Sequence, residues 1–168
     1  AGINEVGYFP KTDMERQQAV ISLNLLAPML LTRHLLAQGK LETGSVVFIS
    51  SLSRYVSYPG AAVYAGTKDG IASYARSLAV GHPSMHVMTV YPGPTRTAHA
   101  RRYSPDNARE DKRMDPATLA AMVITGIDRR QRILIPGAAN WAFAVFGRLF
   151  PGLADNVMRR SLLEKFEQ

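Results

Sequence analysis

The stretch Ser45-Val46-Val47-Phe48-Ile49-Ser50-Ser51-Leu52-Ser53 decides the fold. Its first five residues are short, continuously apolar and rich in β-branched side chains, without the polar alternation of a half-exposed strand. Such a run predicts a strand covered on both faces, as in a parallel sheet. The serines that follow begin a loop reaching Gly60. Two similar runs lie downstream: His86 to Tyr91, closed by Pro92-Gly93-Pro94, and Arg132 to Pro136. Helix-period segments separate them. One runs from Val63 to Val80, with Tyr64, Thr67, Ile71, Tyr74 and Leu78 at helical spacing and Gly81-His82-Pro83 as its stop. Another runs from Asp115, as N-cap before Pro116, to about Arg130. Upstream, Asp13 and Glu15 open a long amphipathic helix ending near Gly39, in which Pro28 predicts a kink. From Trp141 to Phe166 the pattern is helical with a break at Pro151-Gly152. Alternating helices and strands build βαβ units, hence an α/β fold whose ligands bind beyond the carboxyl ends of the strands.

The chain has 168 residues, 46% of them apolar and 20% charged, with 13 Gly, 10 Pro and no Cys. That describes one globular domain and excludes disulfides, thiolate metal sites and a cysteine nucleophile. The cysteine-free composition fits a reducing compartment, and a cytoplasmic location is expected. The four histidines, His34, His82, His86 and His99, form no metal-ligating pattern on one helix face, so no metal is expected. A net charge of +7 raises nucleic acid as a partner. The cations, however, are dispersed without interleaved aromatics, so no nucleic-acid contact is expected.

At the ends of the predicted strands the chemistry concentrates. Ser50, Ser51 and Ser53 follow the first strand, and Tyr64 and Lys68 stand four apart on the helix after it. Residues i and i+4 share a helix face, so the Lys68 ammonium is expected beside the Tyr64 phenol, lowering its pKa from about 10. A tyrosine tuned that way serves as a proton donor or acceptor near neutral pH. A serine hydroxyl from the strand end is suited to hydrogen-bond a substrate oxygen on which charge develops.

Together, Asn24 ahead of Pro28, Ser51, the Tyr64-x-x-x-Lys68 pair and Pro92-Gly93-Pro94-Thr95-Arg96-Thr97 resemble the short-chain dehydrogenase/reductase family. The opening Ala1-Gly2 looks like the end of that family's Asn-Asn-Ala-Gly motif. The resemblance extends over essentially the whole chain, most loosely after Arg132. It implies a Rossmann-type doubly wound parallel sheet, of which this sequence is the carboxyl-terminal part. It also implies NAD(P)-dependent hydride transfer between nicotinamide and a carbonyl or secondary alcohol, with an Asn-Ser-Tyr-Lys tetrad of Asn24, Ser51, Tyr64 and Lys68. In those terms Tyr64 is the proton donor, Lys68 lowers its pKa and binds the nicotinamide ribose, Ser51 polarises the carbonyl, and Asn24 holds a relay water. Cofactor contacts fall on Ala1, Gly2, Tyr64, Lys68, Pro92, Gly93, Thr95 and Thr97, with NAD or NADP as cofactor. Relatives commonly pair through helices like those at Asp13–Gln38 and Val63–Val80, so a homodimer or homotetramer is expected.

The family's Gly-x-x-x-Gly-x-Gly phosphate turn has no counterpart among the 13 glycines. The expectation is therefore the catalytic and substrate part of a larger protein. The alternative is a non-catalytic remnant serving as an oligomerisation or interaction module. Three regions are expected within the single domain 1–168. Residues 95–115, carrying Arg96, Arg101, Arg102, Arg109, Lys112 and Arg113 against Asp106, Glu110 and Asp111, suit a substrate lid. Arg101 and Arg102 are its candidates for an acidic substrate or a cofactor phosphate. Residues 140–168 form a C-terminal helical segment, amphipathic and basic, for which packing is the expectation, with a substrate entrance or an anionic membrane surface as the alternatives.

Overall fold

The structure, a computed structural model, describes residues 2–104 and 107–164. Asp13 starts the first helix by accepting hydrogen bonds from Glu15 N at 2.8 Å and Arg16 N at 3.4 Å. Helix α1 then runs Met14–Ile21, a π turn spans Ser22–Leu26, and α2 continues Ala27–Ala37. The expected kink at Pro28 takes this form instead. Pro28 has no N–H and its ring crowds the carbonyl four residues back, and the wider turn, with Ala27 N bonded to Ser22 O, relieves that clash.

Strands β1 (Ser45–Ile49), β2 (His86–Val90) and β3 (Ile133–Leu134) lie in that order in one all-parallel sheet. Ser45 pairs with His86 through to Ile49 with Val90, and Thr89 and Val90 pair with Ile133 and Leu134. All five residues of β2 are buried. β1 departs from the expectation of burial on both faces: only Phe48 is fully buried, and Ile49 is 47% exposed. The physical reason is position, since β1 pairs along one side alone among the described residues.

Helix α3 (Ala62–Gly81) links β1 to β2 and lays Ile71 and Ala75 against Phe48, Met85 and Val87. After β2 the chain makes an excursion through α4 (Ala98–Tyr103). Its two ends are pinned together by Arg96 N on Met114 O and Met114 N on Pro94 O. Asp115 then caps α5 (Pro116–Asp128), accepting from Ala117 N and Thr118 N. Beyond β3 come α6 (Ala138–Leu149) and α7 (Pro151–Met158). The break between them falls at Phe150, one residue before the expected Pro151-Gly152, because Pro151 begins α7 where its missing N–H costs nothing. Ala144 and Ala154 pack on Leu52 and Val56 from the loop after β1, with Phe143, Phe146 and Met158 around them. This second core sets α6 and α7 over the carboxyl ends of the strands.

Candidate active site

A cavity of about 650 Å³ opens at the carboxyl ends of β1 and β2. The strand ends supply Ile49, Ser50, Ser51, Pro92 and Gly93, α3 supplies Tyr64 and Lys68, and the excursion supplies Thr95, Thr97, His99, Tyr103 and Arg113. Three of the four tetrad residues therefore meet in one place, as their strand-end and helix positions require.

Ser50 and Ser51 are separated by their partners. The Ser50 hydroxyl is buried and donates to Lys68 O at 2.8 Å, which ties β1 to α3 and commits its proton. The Ser51 hydroxyl accepts from Ser53 N at 3.2 Å and hydrogen-bonds the Tyr64 phenol. Of the two, Ser51 alone reaches the phenol.

Lys68 is only 7% exposed, and its Nζ donates to Ile49 O at 3.0 Å. That Nζ lies over the Tyr64 ring, 5.5 Å from its centroid. The helical i, i+4 geometry thus delivers the ammonium to the ring face, and the expected lowering of the Tyr64 pKa does not occur. Burial dominates instead, Tyr58 adds to it, and the Ser51 hydrogen bond opposes it, so Tyr64 is pushed up to about 12. Burial also holds Lys68 below the usual ammonium range. Both groups therefore favour their neutral forms relative to water, because neither has a close counter-charge to offset desolvation.

Asn24 is 5% exposed, and its side chain is fully engaged away from the cavity. It accepts from Ile3 N at 3.0 Å and donates to Ile3 O at 2.8 Å, clamping the segment before α1 as one more strand would. Gly2 sits beside it: a Cβ there would lie 3.3 Å from Asn24 Oδ1. Gly2 also hydrogen-bonds His99 through its backbone. Ala1 lies outside the described residues. Thr95 donates to Gly93 O at 3.1 Å, and Thr97 caps α4 by accepting from Ala100 N at 3.1 Å. Their side chains shape the turn after β2 while lining the cavity.

Several lining residues lie outside the sequence motifs, and of Tyr58, His99 and Asn140 only His99 carries a signal, its place in the expected lid. Tyr58 meets the Tyr64 ring edge-on at 6.0 Å, and His99 lies 6.0 Å from Tyr64 and 4.8 Å from Tyr103 between ring centroids. Burial depresses the His99 pKa, partly offset by its bond to Gly2. Asn140 donates to Pro136 O and packs against Gly93 so closely that a Cβ at Gly93 would come within 2.6 Å of Asn140 Nδ2. Arg101 and Arg102 are not part of the cavity. Arg101 pairs with Glu110 at 2.6 Å and Arg102 lies over the Tyr103 ring, whereas Arg113 reaches the lining.

A short chain dehydrogenase profile matches residues 1–108. The chain belongs to the short-chain dehydrogenase family. A 3-oxoacyl-(acyl-carrier-protein) reductase of Rattus norvegicus is 33% identical over 95 residues, 55% of this chain and 40% of that protein. "Dehydrogenase/reductase SDR family member 7B" of Danio rerio is 24% identical over 170 residues, 94% of this chain and 55% of that protein. A short-chain dehydrogenase from Sphingobium yanoikuyae, solved in complex with NADPH, superposes with a TM-score of 0.70. It is 29% identical and covers 92% of this chain and 62% of its own. The chain thus spans about half the length of the curated relatives it matches. The partial Rossmann-type sheet fits that family. The family profile's match ends before α5, so α6 and α7, which close the cavity, lie beyond that profile.

The residues fit the nicotinamide end of a dinucleotide. Lys68 Nζ carries three protons and the structure gives it one acceptor, Ile49 O, so donors remain for ribose hydroxyls. The phosphate-holding glycine turn has no counterpart in the sequence.

Proposed function

We propose that this chain carries the proton-transfer and substrate part of an NAD(P)-dependent oxidoreductase acting on a carbonyl or secondary alcohol. The observation that carries this reading is the meeting of the Ser51 hydroxyl, the Tyr64 phenol and the Lys68 ammonium at the ends of β1 and β2.

A bound nicotinamide supplies the hydride chemistry; the protein supplies position and the proton. In reduction, Ser51 donates a hydrogen bond to the substrate carbonyl oxygen and holds it beside Tyr64. Tyr64 gives its phenolic proton to that oxygen as negative charge builds there. In oxidation the same phenol oxygen takes the proton back. Lys68, held by Ile49 O, stays near the Tyr64 ring to stabilise the phenolate left behind. Asn24 supports the site indirectly by fixing Ile3 against the π turn between α1 and α2. Pro92, Gly93, Thr95 and Thr97 shape the wall against which a nicotinamide would lie.

The test is turnover of a panel of aldehydes and ketones with NADH and with NADPH, together with fluorescence titration of both cofactors. Tyr64→Phe is expected to lower kcat by about 10²–10⁴-fold, a loss far larger than any change in cofactor affinity. Full activity in that variant, or failure of the whole protein that carries this part to bind either cofactor, refutes the proposal.

A further inference from the structure

Helices α6 and α7 have two faces of opposite character. Phe143, Ala144, Gly147 and Ala154 face inward onto the second core and the cavity. On the other face Trp141, Val145 and Leu149 recur every four residues along α6, and Leu153 and Val157 repeat the interval on α7, with Phe150 at the corner. All six are exposed, Trp141 by 58%, Leu149 by 65% and Leu153 by 59%. Exposed apolar side chains repeating in this way along two successive helices mark a binding face.

The charges beside the stripe indicate what it meets. Arg148 shares the outer arc of α6, and the exposed Arg159 and Arg160 follow Val157. Asp155 and Glu164 are the exposed anions among the described residues of these helices. A second copy would offer these three arginines a face with the same excess of cations and, among its described residues, only Asp155 and Glu164 as counter-charges. An anionic lipid surface instead neutralises each arginine, and their long aliphatic stems let the guanidinium groups rise to the headgroups while the apolar residues sink. A tryptophan beside leucines and a phenylalanine is the composition that settles at a bilayer interface. The 12 residues of α6 are too few to span a bilayer, so this face would lie on the surface.

We propose that the outer face of α6 and α7, centred on Trp141, Leu149 and Leu153, docks on an anionic membrane surface. The same two helices wall the cavity with Asn140, Phe143 and Met158, so docking sets the cavity beside the bilayer and gives lipophilic carbonyl compounds a route into it.

The protein contains one tryptophan, which makes the contact directly readable without measuring activity. The full chain is mixed with vesicles of phosphatidylcholine, with and without phosphatidylserine, and followed by flotation and Trp141 emission. Expected are binding about 100-fold stronger to the anionic vesicles, a blue-shifted emission, quenching by brominated lipid, and release at high salt. The double variant Leu149→Glu, Leu153→Glu, at exposed positions, is expected to keep its circular dichroism and thermal transition while losing both signals. The proposal is overturned if Trp141 is unmoved by vesicles, if the double variant still floats, or if the same residues instead drive self-association in the absence of lipid.

Discussion

The position of the Tyr64 proton is the sharpest quantity in this site, and Tyr64→Phe isolates it. Burial raises the phenol from 10.0 to about 12 in the ligand-free protein. Two pKa units correspond to about 2.7 kcal/mol between the protonation states. Below pH 10 the folded and unfolded chains both keep this proton, and it contributes nothing to the pH dependence of stability. Between pH 10 and about 12 the unfolded chain releases it while the folded chain retains it. The unfolded state then binds fewer protons, so stability falls as pH rises, by roughly 2.7 kcal/mol at the end of the window. Phenylalanine has no proton to lose, so the variant should lack this component. Tyr91 is also raised by burial and contributes to both proteins, whereas Tyr58 is raised by burial and coupled to Tyr64, so the difference between the two curves belongs to Tyr64 together with that coupling. Urea denaturation of both proteins at stepped alkaline pH measures it, with near-ultraviolet tyrosinate absorbance of the native proteins as a second readout. Parallel stability curves, or a native Tyr64 that ionises below pH 10, would refute the reasoning. Either would mean that the Lys68 ammonium reaches the phenol oxygen before any ligand arrives.

Two further substitutions probe the scaffold. Gly147→Ala would normally stabilise a helix by about 1 kcal/mol, but here the new methyl group would meet the Tyr55 carbonyl and come within 2.6 Å of Val56 Cγ1. Backbone cannot rotate away, so overpacking of about 1–3 kcal/mol should prevail, and a lowered urea midpoint at unchanged m-value checks it. Asn24→Ala removes both hydrogen bonds that clamp Ile3 and should cost about 2–3 kcal/mol, visible as a lowered thermal midpoint and faster amide exchange at Ile3.

Local patterns located the strands and the long helices but neither α4 nor the π turn, and they were insufficient for the electrostatics. The run at Val46–Ile49, the stop at Gly81-His82-Pro83 and the Asp115-Pro116 cap are one-dimensional signals, because strand propensity and helix capping depend on near neighbours, whereas the burial of β1 depends on its place in the sheet. Ser51, Tyr64 and Lys68 were legible for the same reason: each sits at a fixed offset from an element end. The expected effect of Lys68 on Tyr64 was not legible. Spacing places two side chains on one face but leaves open whether the ammonium meets a ring face or an oxygen, and Ile49 O settled that by drawing Nζ toward the strand end. The pairing of Asn24 with Ile3, 21 residues away, and of Gly93 with Asn140 were hidden because they depend on how distant segments pack.

The sequence by itself determined an α/β chain with its reactive side chains at strand ends, since hydrophobic period, caps and turn residues act over a few positions. Tertiary structure decided which serine reaches the phenol, where the ammonium points, that Arg113 and not Arg101 or Arg102 lines the cavity, and which face of α6 and α7 remains in solvent. Those outcomes depend on burial and on partners far apart in the chain, and desolvation, the largest influence on Tyr64, exists only once the chain has closed around it.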